Sequence, residues 1–283
     1  MVLRPTAAIV SAAVEGGHGV GAFNVIQLEH ASAIVAGAEL AGTAVLLQIS
    51  ENCVRYHRSL APLLEAALAV AAESSVPVAV HLDHVESVPL VREGALHRIG
   101  SVMFDASTAP YDENVVLTKE VAEFCHARGI WVEAELGEVG GKDGVHAPGV
   151  RTDPGEAEEY VTATGVDALA VAVGSSHAMT TRDAALDYDL IAALKSTVDV
   201  PLVLHGSSGV SDEGLRRAVA AGITKVNIST HLNKVFTEEV RDRLGDAKLV
   251  DTRKYLGPAR DRMAGEVARL LGVLDAVPAG SVR

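Results

Sequence analysis

Short β-rich runs of five to eight residues recur along the chain with helix-like stretches between them. In order they are "GAFNV" (21–25), "AVLLQIS" (44–50), "PVAVHLDH" (77–84), "SVMFD" (101–105), "WVEAEL" (131–136), "ALAVAVG" (168–174), "PLVLHG" (201–206) and "KVNIST" (225–230). Several are apolar throughout instead of alternating, the pattern of strands buried on both faces of a parallel sheet. The intervening segments carry helix signals: Asp112 is placed to open "DENVVLTKEVAEFCHARG" with Gly129 closing it, and Asp153-Pro154 opens "DPGEAEEYVTATG". Eight strand–helix alternations predict a closed (β/α)8 TIM barrel, a single domain over residues 1–283, with extra helices from about 231 to 271 packed outside it. A doubly wound α/β sheet is the second choice, but no Gly-rich fingerprint follows the first strand.

Composition narrows the function. Apolar residues make up 48% of the 283, enough for a sizeable core. A formal net charge of −13, with no basic patch, argues against nucleic acid or an anionic membrane as partner. A small anionic substrate would need positive charge supplied locally, by a metal, an Arg or Lys, or backbone N–H groups. Cys53 and Cys125 have no CxxC spacing, so neither a disulfide framework nor a cysteine metal site is indicated, and a reducing cytoplasm fits. The stretch "TAAIVSAAV" faintly resembles a secretory signal, but Pro5 followed by Thr6 at its start, and Glu15, Gly16 and Gly17 after it, read as a short capped helix. No run is apolar for long enough to span a bilayer.

In this barrel class the active site forms at the C-terminal strand ends. Those ends read Asn24; Gln48 and Ser50; Asp83 and His84; Asp105; Glu133 and Glu135; "GSSH" with His177; His205 with "GSSG"; and Asn227 with "ISTH". Three of the eleven histidines, His84, His177 and His205, therefore stand at the ends of strands three, six and seven. Three imidazoles converging from separate strands with a fourth position open is an arrangement favoured by catalytic zinc. His81 shares the face of Asp83, whereas His84 has the opposite parity, so both Asp83 and His84 enter one site only if the strand ends there and the loop turns His84 inward. His18, His30, His57, His97, His126 and His146 fall outside the pattern and read as structural or solvated. The loops after strands seven and eight, "HGSSG" (205–209) and "NIST" (227–230), offer hydroxyls and backbone N–H groups where such barrels often bind phosphate.

With "HLDHVES", "SVMFDAS", "VEAELGEVGG", "RTDPGEAEEYVTATGVDALAVAVGSSH", "PLVLHGSSG" and "KVNIST" in this order, the chain resembles the class II, metal-dependent ketose-bisphosphate aldolases that include fructose- and tagatose-bisphosphate aldolases. The resemblance implies zinc on His84, His177 and His205, with Asp83 as the acid/base at the C4 oxygen. It matches Asp105 and Glu135 to carboxylates near a second or alternative metal position. Asn24, Ser50, Gly206, Ser207, Ser208, Asn227, Ile228, Ser229 and Thr230 match the contacts to dihydroxyacetone phosphate, with a monovalent cation such as Na+ or K+ nearby. Arg253 matches an arginine reaching the distal phosphate across a subunit boundary, which implies a homodimer or homotetramer acting on a small phosphosugar.

Four positions depart from the family pattern. The loop after strand five reads "GGKDG", where a glutamate usually follows the glycines, so Asp143 is the expected proton-transfer residue there. Ala178 replaces a glycine, His231 an acidic residue, and "DTR" stands for "DPR". An aldolase for a related phosphorylated sugar acid, a barrel metallohydrolase and a non-catalytic aldolase-like binding protein remain as competing readings. All three keep a metal site, and the metallohydrolase reading leaves the two phosphate loops unexplained.

Overall fold

The structure is a computed structural model that describes residues 3–136, 151–175 and 181–275. Its order begins with α1 (Thr6–Gly16), β1 (Val20–Asn24), α2 (Leu28–Ala41), β2 (Val45–Ser50), α3 (Glu51–His57), α4 (Ala61–Glu73), β3 (Val78–Val85) and α5 (Val88–Gly94). It continues with β4 (Ser101–Phe104), α6 (Tyr111–His126), β5 (Trp131–Glu135), α7 (Pro154–Thr164), β6 (Ala168–Ala170) and α8 (Tyr188–Thr197). The last elements are β7 (Leu202–Leu204), α9 (Asp212–Ala221), β8 (Ile223–Ile228), α10 (Thr230–Arg243) and α11 (Arg253–Asp275). All eight strands are parallel and close in sequence order, β8 pairing with β1. The TIM barrel is therefore as expected, and the open doubly wound sheet is excluded.

Side chains of the barrel wall divide by parity. Phe23, Leu47, Val80 and Val102 face the helices and join one large core with Ile34, Leu64 and Tyr160. Ala22, Leu46 and Ala79 point into the barrel, where Ile9 and Ala13 of α1 close its N-terminal end. Val10 of α1 plugs the same end against Trp131, Ala168 and Val203. The helix after Pro5 is thus a stopper for the barrel, ended by Gly17 in the left-handed region at φ 65°. α11 packs outside against α2 and α10. A side chain at Gly37 would meet the Ala264 carbonyl at 2.6 Å, so this glycine permits the close approach of α2 and α11.

Helix ends were partly as predicted. Asp153 caps α7, its carboxylate accepting from the N–H groups of Gly155 and Glu156 at 2.9 and 3.1 Å. α6, however, starts at Tyr111 after Pro110, so Asp112 sits inside the first turn instead of opening the helix. There its charge favours the positive end of the helix dipole. Among the described residues no helix is long and apolar enough to cross a membrane.

Candidate active site

β3 runs through Val85, so His84 lies within a strand and not in a loop beyond it. Leu82 pairs with Val102 and Val85 with Phe104, leaving one residue too many on β3 between those pairs. At this bulge His84 takes φ 45°, the left-handed region where a residue other than glycine is strained. Regular pleating would send His84 to the face opposite Asp83; a bulge suspends the alternation, and both side chains line the same cavity. The inward turn occurs, then, without the strand ending.

Donor atoms of His84, Glu135 and His205 all lie within 4.8 Å of one another. The two imidazole rings meet edge-on with centroids 4.8 Å apart. Nδ1 of His84 is 3.0 Å from an Asp105 oxygen, and Nε2 of His205 is 2.8 Å from Glu133 Oε1. Each ring therefore has a nitrogen anchored on a carboxylate outside the donor cluster, the orientation that metal-binding histidines are normally given, and Nδ1 of His205 lies 3.2 Å from Glu135 within the cluster. His205 is fully buried, and burial alone would lower its basicity; hydrogen bonds to Glu133 and Glu135 overcome this and raise its pKa to about 10. Two electron-rich imidazoles beside a carboxylate suit a divalent ion such as zinc. Asp105 backs His84, and also accepts from Ser107, rather than joining the three-residue cluster. His177 and Asp143 lie outside the described residues.

Below Asp83 the barrel interior is polar. Asn24 donates to Asp83 Oδ2 at 2.9 Å, and Asn227 donates to Oδ1 at 3.4 Å. The oxygens of these two amides are held in turn by Gln48 Nε2 at 3.2 Å and Lys225 Nζ at 2.8 Å. Lys225 Nζ also lies 2.8 Å from Glu133 Oε2. Burial would raise the pKa of Asp83, but His84, His81 and Lys225 draw it below the usual carboxylate value, so the group is ionised at neutral pH and free to accept a proton. Lys225 and His205 likewise hold Glu133 far below the carboxylate range against its burial. Sequence reading gave no role to Lys225, Gln48 or Glu133. The period of two was the available signal: Lys225 stands two before Asn227, Gln48 two before Ser50 and Glu133 two before Glu135, so each shares the face of a site residue.

The cavity at the C-terminal end of the barrel encloses about 260 Å³. Asn24 and Ser50 reach it from β1 and β2, with Asn52 of α3 beside them, and Gly206 and Ser208 from the loop after β7. Asn227, Ser229 and Thr230 complete the wall. Gly206 has φ 63°, which keeps the loop close under the cavity without a side chain in the way. Ser208 Oγ accepts from the N–H groups of Ser229 and His231 at 3.4 and 3.2 Å, joining the two loops. α10 starts here with no cap from the Ser229 side chain; Ser208 takes the His231 N–H of its first turn, and the positive end of the helix dipole lies at the cavity wall beside Thr230. Among the residues matched to substrate contacts, Ser207 donates its hydroxyl to the Asn227 carbonyl, and Ile228 has its side chain in the core, so only its backbone is available to a ligand. Arg253 does not line this cavity either; its side chain is 88% exposed and paired with Asp251 at 2.9 Å.

The sequence pattern of the family described as fructose-bisphosphate aldolase class-II matches residues 4–277. This chain belongs to that family. The fructose-bisphosphate aldolase of Geobacillus stearothermophilus is 39% identical over 264 residues, 92% of each chain. That of Staphylococcus aureus (strain Mu50) is 38% identical over 254 residues, 88% of this chain and 89% of its own. The solved YdjI aldolase from Escherichia coli K12 superposes with a TM-score of 0.86 at 29% identity, covering 96% of this chain and 97% of its own. The class II aldolases are metal-dependent carbon–carbon lyases, and the chain is accordingly an enzyme of that class with a three-residue candidate metal site.

Proposed function

We propose that this class II aldolase reversibly cleaves fructose 1,6-bisphosphate to dihydroxyacetone phosphate and glyceraldehyde 3-phosphate, using zinc. The observation that carries the reading is one cavity lined by Asp83, by the bulge-turned His84 of the donor cluster, and by the two loops that Ser208 joins. The relatives named fructose-bisphosphate aldolase make fructose the favoured sugar; tagatose 1,6-bisphosphate differs only at C4 and is the natural comparator.

His84 and His205 would hold the ion, with Glu135 or His177 as third ligand. When bound, zinc supplies positive charge that stabilises the negative charge developing on the substrate oxygens as the C3–C4 bond breaks. Asp83 takes the C4 hydroxyl proton during cleavage and returns it in condensation. Asn24 and Asn227 aim its two oxygens, so little reorganisation accompanies the proton transfer. The phosphate of the dihydroxyacetone half sits beside Gly206, Ser208, Ser229 and Thr230, where hydroxyls, the N–H groups that Ser208 Oγ does not take and the positive end of the α10 dipole provide the local field that a chain of net charge −13 otherwise lacks. A monovalent cation such as Na+ or K+ would assist there. Asp143 is assigned the proton at the carbon of dihydroxyacetone phosphate, and Arg253, exposed on its own subunit, the distal phosphate of a neighbour in a cytoplasmic homodimer or homotetramer.

The deciding assay follows dihydroxyacetone phosphate through a coupled reductase from fructose and tagatose 1,6-bisphosphates in parallel, before and after chelation and zinc repletion. Zinc-restored cleavage, faster with fructose, is expected. Protein shown to hold zinc that cleaves neither sugar would refute the proposal and direct attention to phosphorylated sugar acids.

A further inference from the structure

Lys225 is a fully buried cation on the inner face of β8. It touches two partners that belong to opposite sides of the site. One is Asn227, whose amide oxygen it holds at 2.8 Å and whose amide nitrogen faces Asp83 at 3.4 Å. The other is Glu133 at 2.8 Å, whose second oxygen lies 2.8 Å from Nε2 of His205. The result is one continuous polar path, Asp83 to Asn227 to Lys225 to Glu133 to His205, running from β3 through β8 and β5 to the residue that follows β7. An amide held at only one end can flip with little change of shape, exchanging donor for acceptor toward Asp83. A buried carboxylate without its cation is costly and draws its neighbours or water toward it.

We propose that Lys225 is a positioning residue that ties the metal-holding His205 to the acid/base Asp83, fixing the orientation of Asn227 on one side and of Glu133 on the other. This rests on the reading of Asp83 and His205 given under Proposed function. A single ammonium is suited to the task because its donors point in several directions and it accepts nothing.

The test compares wild type, Lys225→Met and the double variant Lys225→Met/Glu133→Gln, each as full-length protein. Zinc retention is read by competition with a chromophoric chelator, and kcat and KM on fructose 1,6-bisphosphate with zinc in excess. Lys225→Met is expected to hold zinc about tenfold or more weakly, as outer-shell changes typically do, and to lose kcat at least tenfold at saturating metal. In the double variant the buried charges leave together, and the amide that replaces the Glu133 carboxylate still offers an oxygen to Nε2 of His205. Zinc retention should recover to within about threefold of wild type while kcat stays low, because nothing orients Asn227.

That split separates positioning from a merely structural role, which would move both readouts together with folding. Should Lys225→Met fail to fold, the double variant decides alone, and wild-type kcat in it overturns the proposal. Zinc retention and kcat within twofold of wild type in a folded Lys225→Met overturn it equally. If wild type cleaves no sugar bisphosphate, the proposed function fails, but unchanged zinc retention in Lys225→Met remains a separate refutation of the link to His205.

Discussion

Glu51 opens α3 and is only 8% exposed, an unusual burial for a glutamate. Its Oε2 accepts from the backbone N–H groups of Glu86 at 2.8 Å and Ser87 at 3.1 Å, and its Oε1 from Arg55 at 2.7 Å. The two backbone bonds clamp the chain immediately after His84, whose φ of 45° must be held against strain of about 1–3 kcal/mol. Hydrogen bonds to a charged group contribute about 1.5–3 kcal/mol each. Glu86 is exposed and Ser87 half-buried, so water recovers part of this when the carboxylate is removed. Glu51→Ala should therefore cost about 2–3 kcal/mol of stability. The ion pair adds little, because Arg55 is 56% exposed, and Arg55→Ala should cost under about 1 kcal/mol. Urea unfolding of the two variants, followed by circular dichroism, should place the Glu51→Ala midpoint about 1 M below wild type. The same variant should retain divalent metal less well than Arg55→Ala, because the bulge that aims His84 has lost its clamp. Equal midpoints for the two variants, or a Glu51→Ala protein that keeps wild-type metal retention, would refute the clamp.

Three further outcomes follow from the geometry. Asp83→Ala should lower kcat by about 10²–10⁴ with metal content unchanged by atomic absorption, since the donor cluster does not include Asp83. Tyr160→Phe removes a buried hydroxyl that donates to Asn114 at 2.8 Å and should cost about 1–2 kcal/mol in urea unfolding with kcat unaffected. Glu266 is pushed up by burial but drawn down to about 2 by Arg269 and His231. A carboxylate depressed in the folded state stabilises above its unfolded pKa and stops doing so as pH falls through the folded one. The stability gap between wild type and Glu266→Gln should thus be full at pH 6 and shrink between about pH 4.5 and 2; a gap of constant size would contradict the ion-pair assignment.

The opening helix, the closed barrel and the gathering of Asp83, His84 and His205 at one barrel end were all legible in the chain. Period and apolar run length are properties of neighbours in sequence, and a parallel barrel turns them directly into inside, outside and strand end. Parity also set a correct condition on His84: it could share a site with Asp83 only if something broke the strand's alternation. What broke it was a bulge against β4, invisible in "HLDHVES" because it depends on how Val85 pairs with Phe104. Lys225 was hidden for a related reason, since a lysine inside "KVNIST" acquires meaning only from Glu133, which closure of the barrel brings to 2.8 Å. Ser207 fitted the substrate-contact motif, yet folding turned its hydroxyl to the Asn227 carbonyl. By itself the sequence determined which residue types stand at the ends of the strands. The tertiary structure decided which of them point inward, which oxygen holds which nitrogen, and how a buried charge is neutralised, because those depend on cross-strand register and on contacts between residues far apart in the chain.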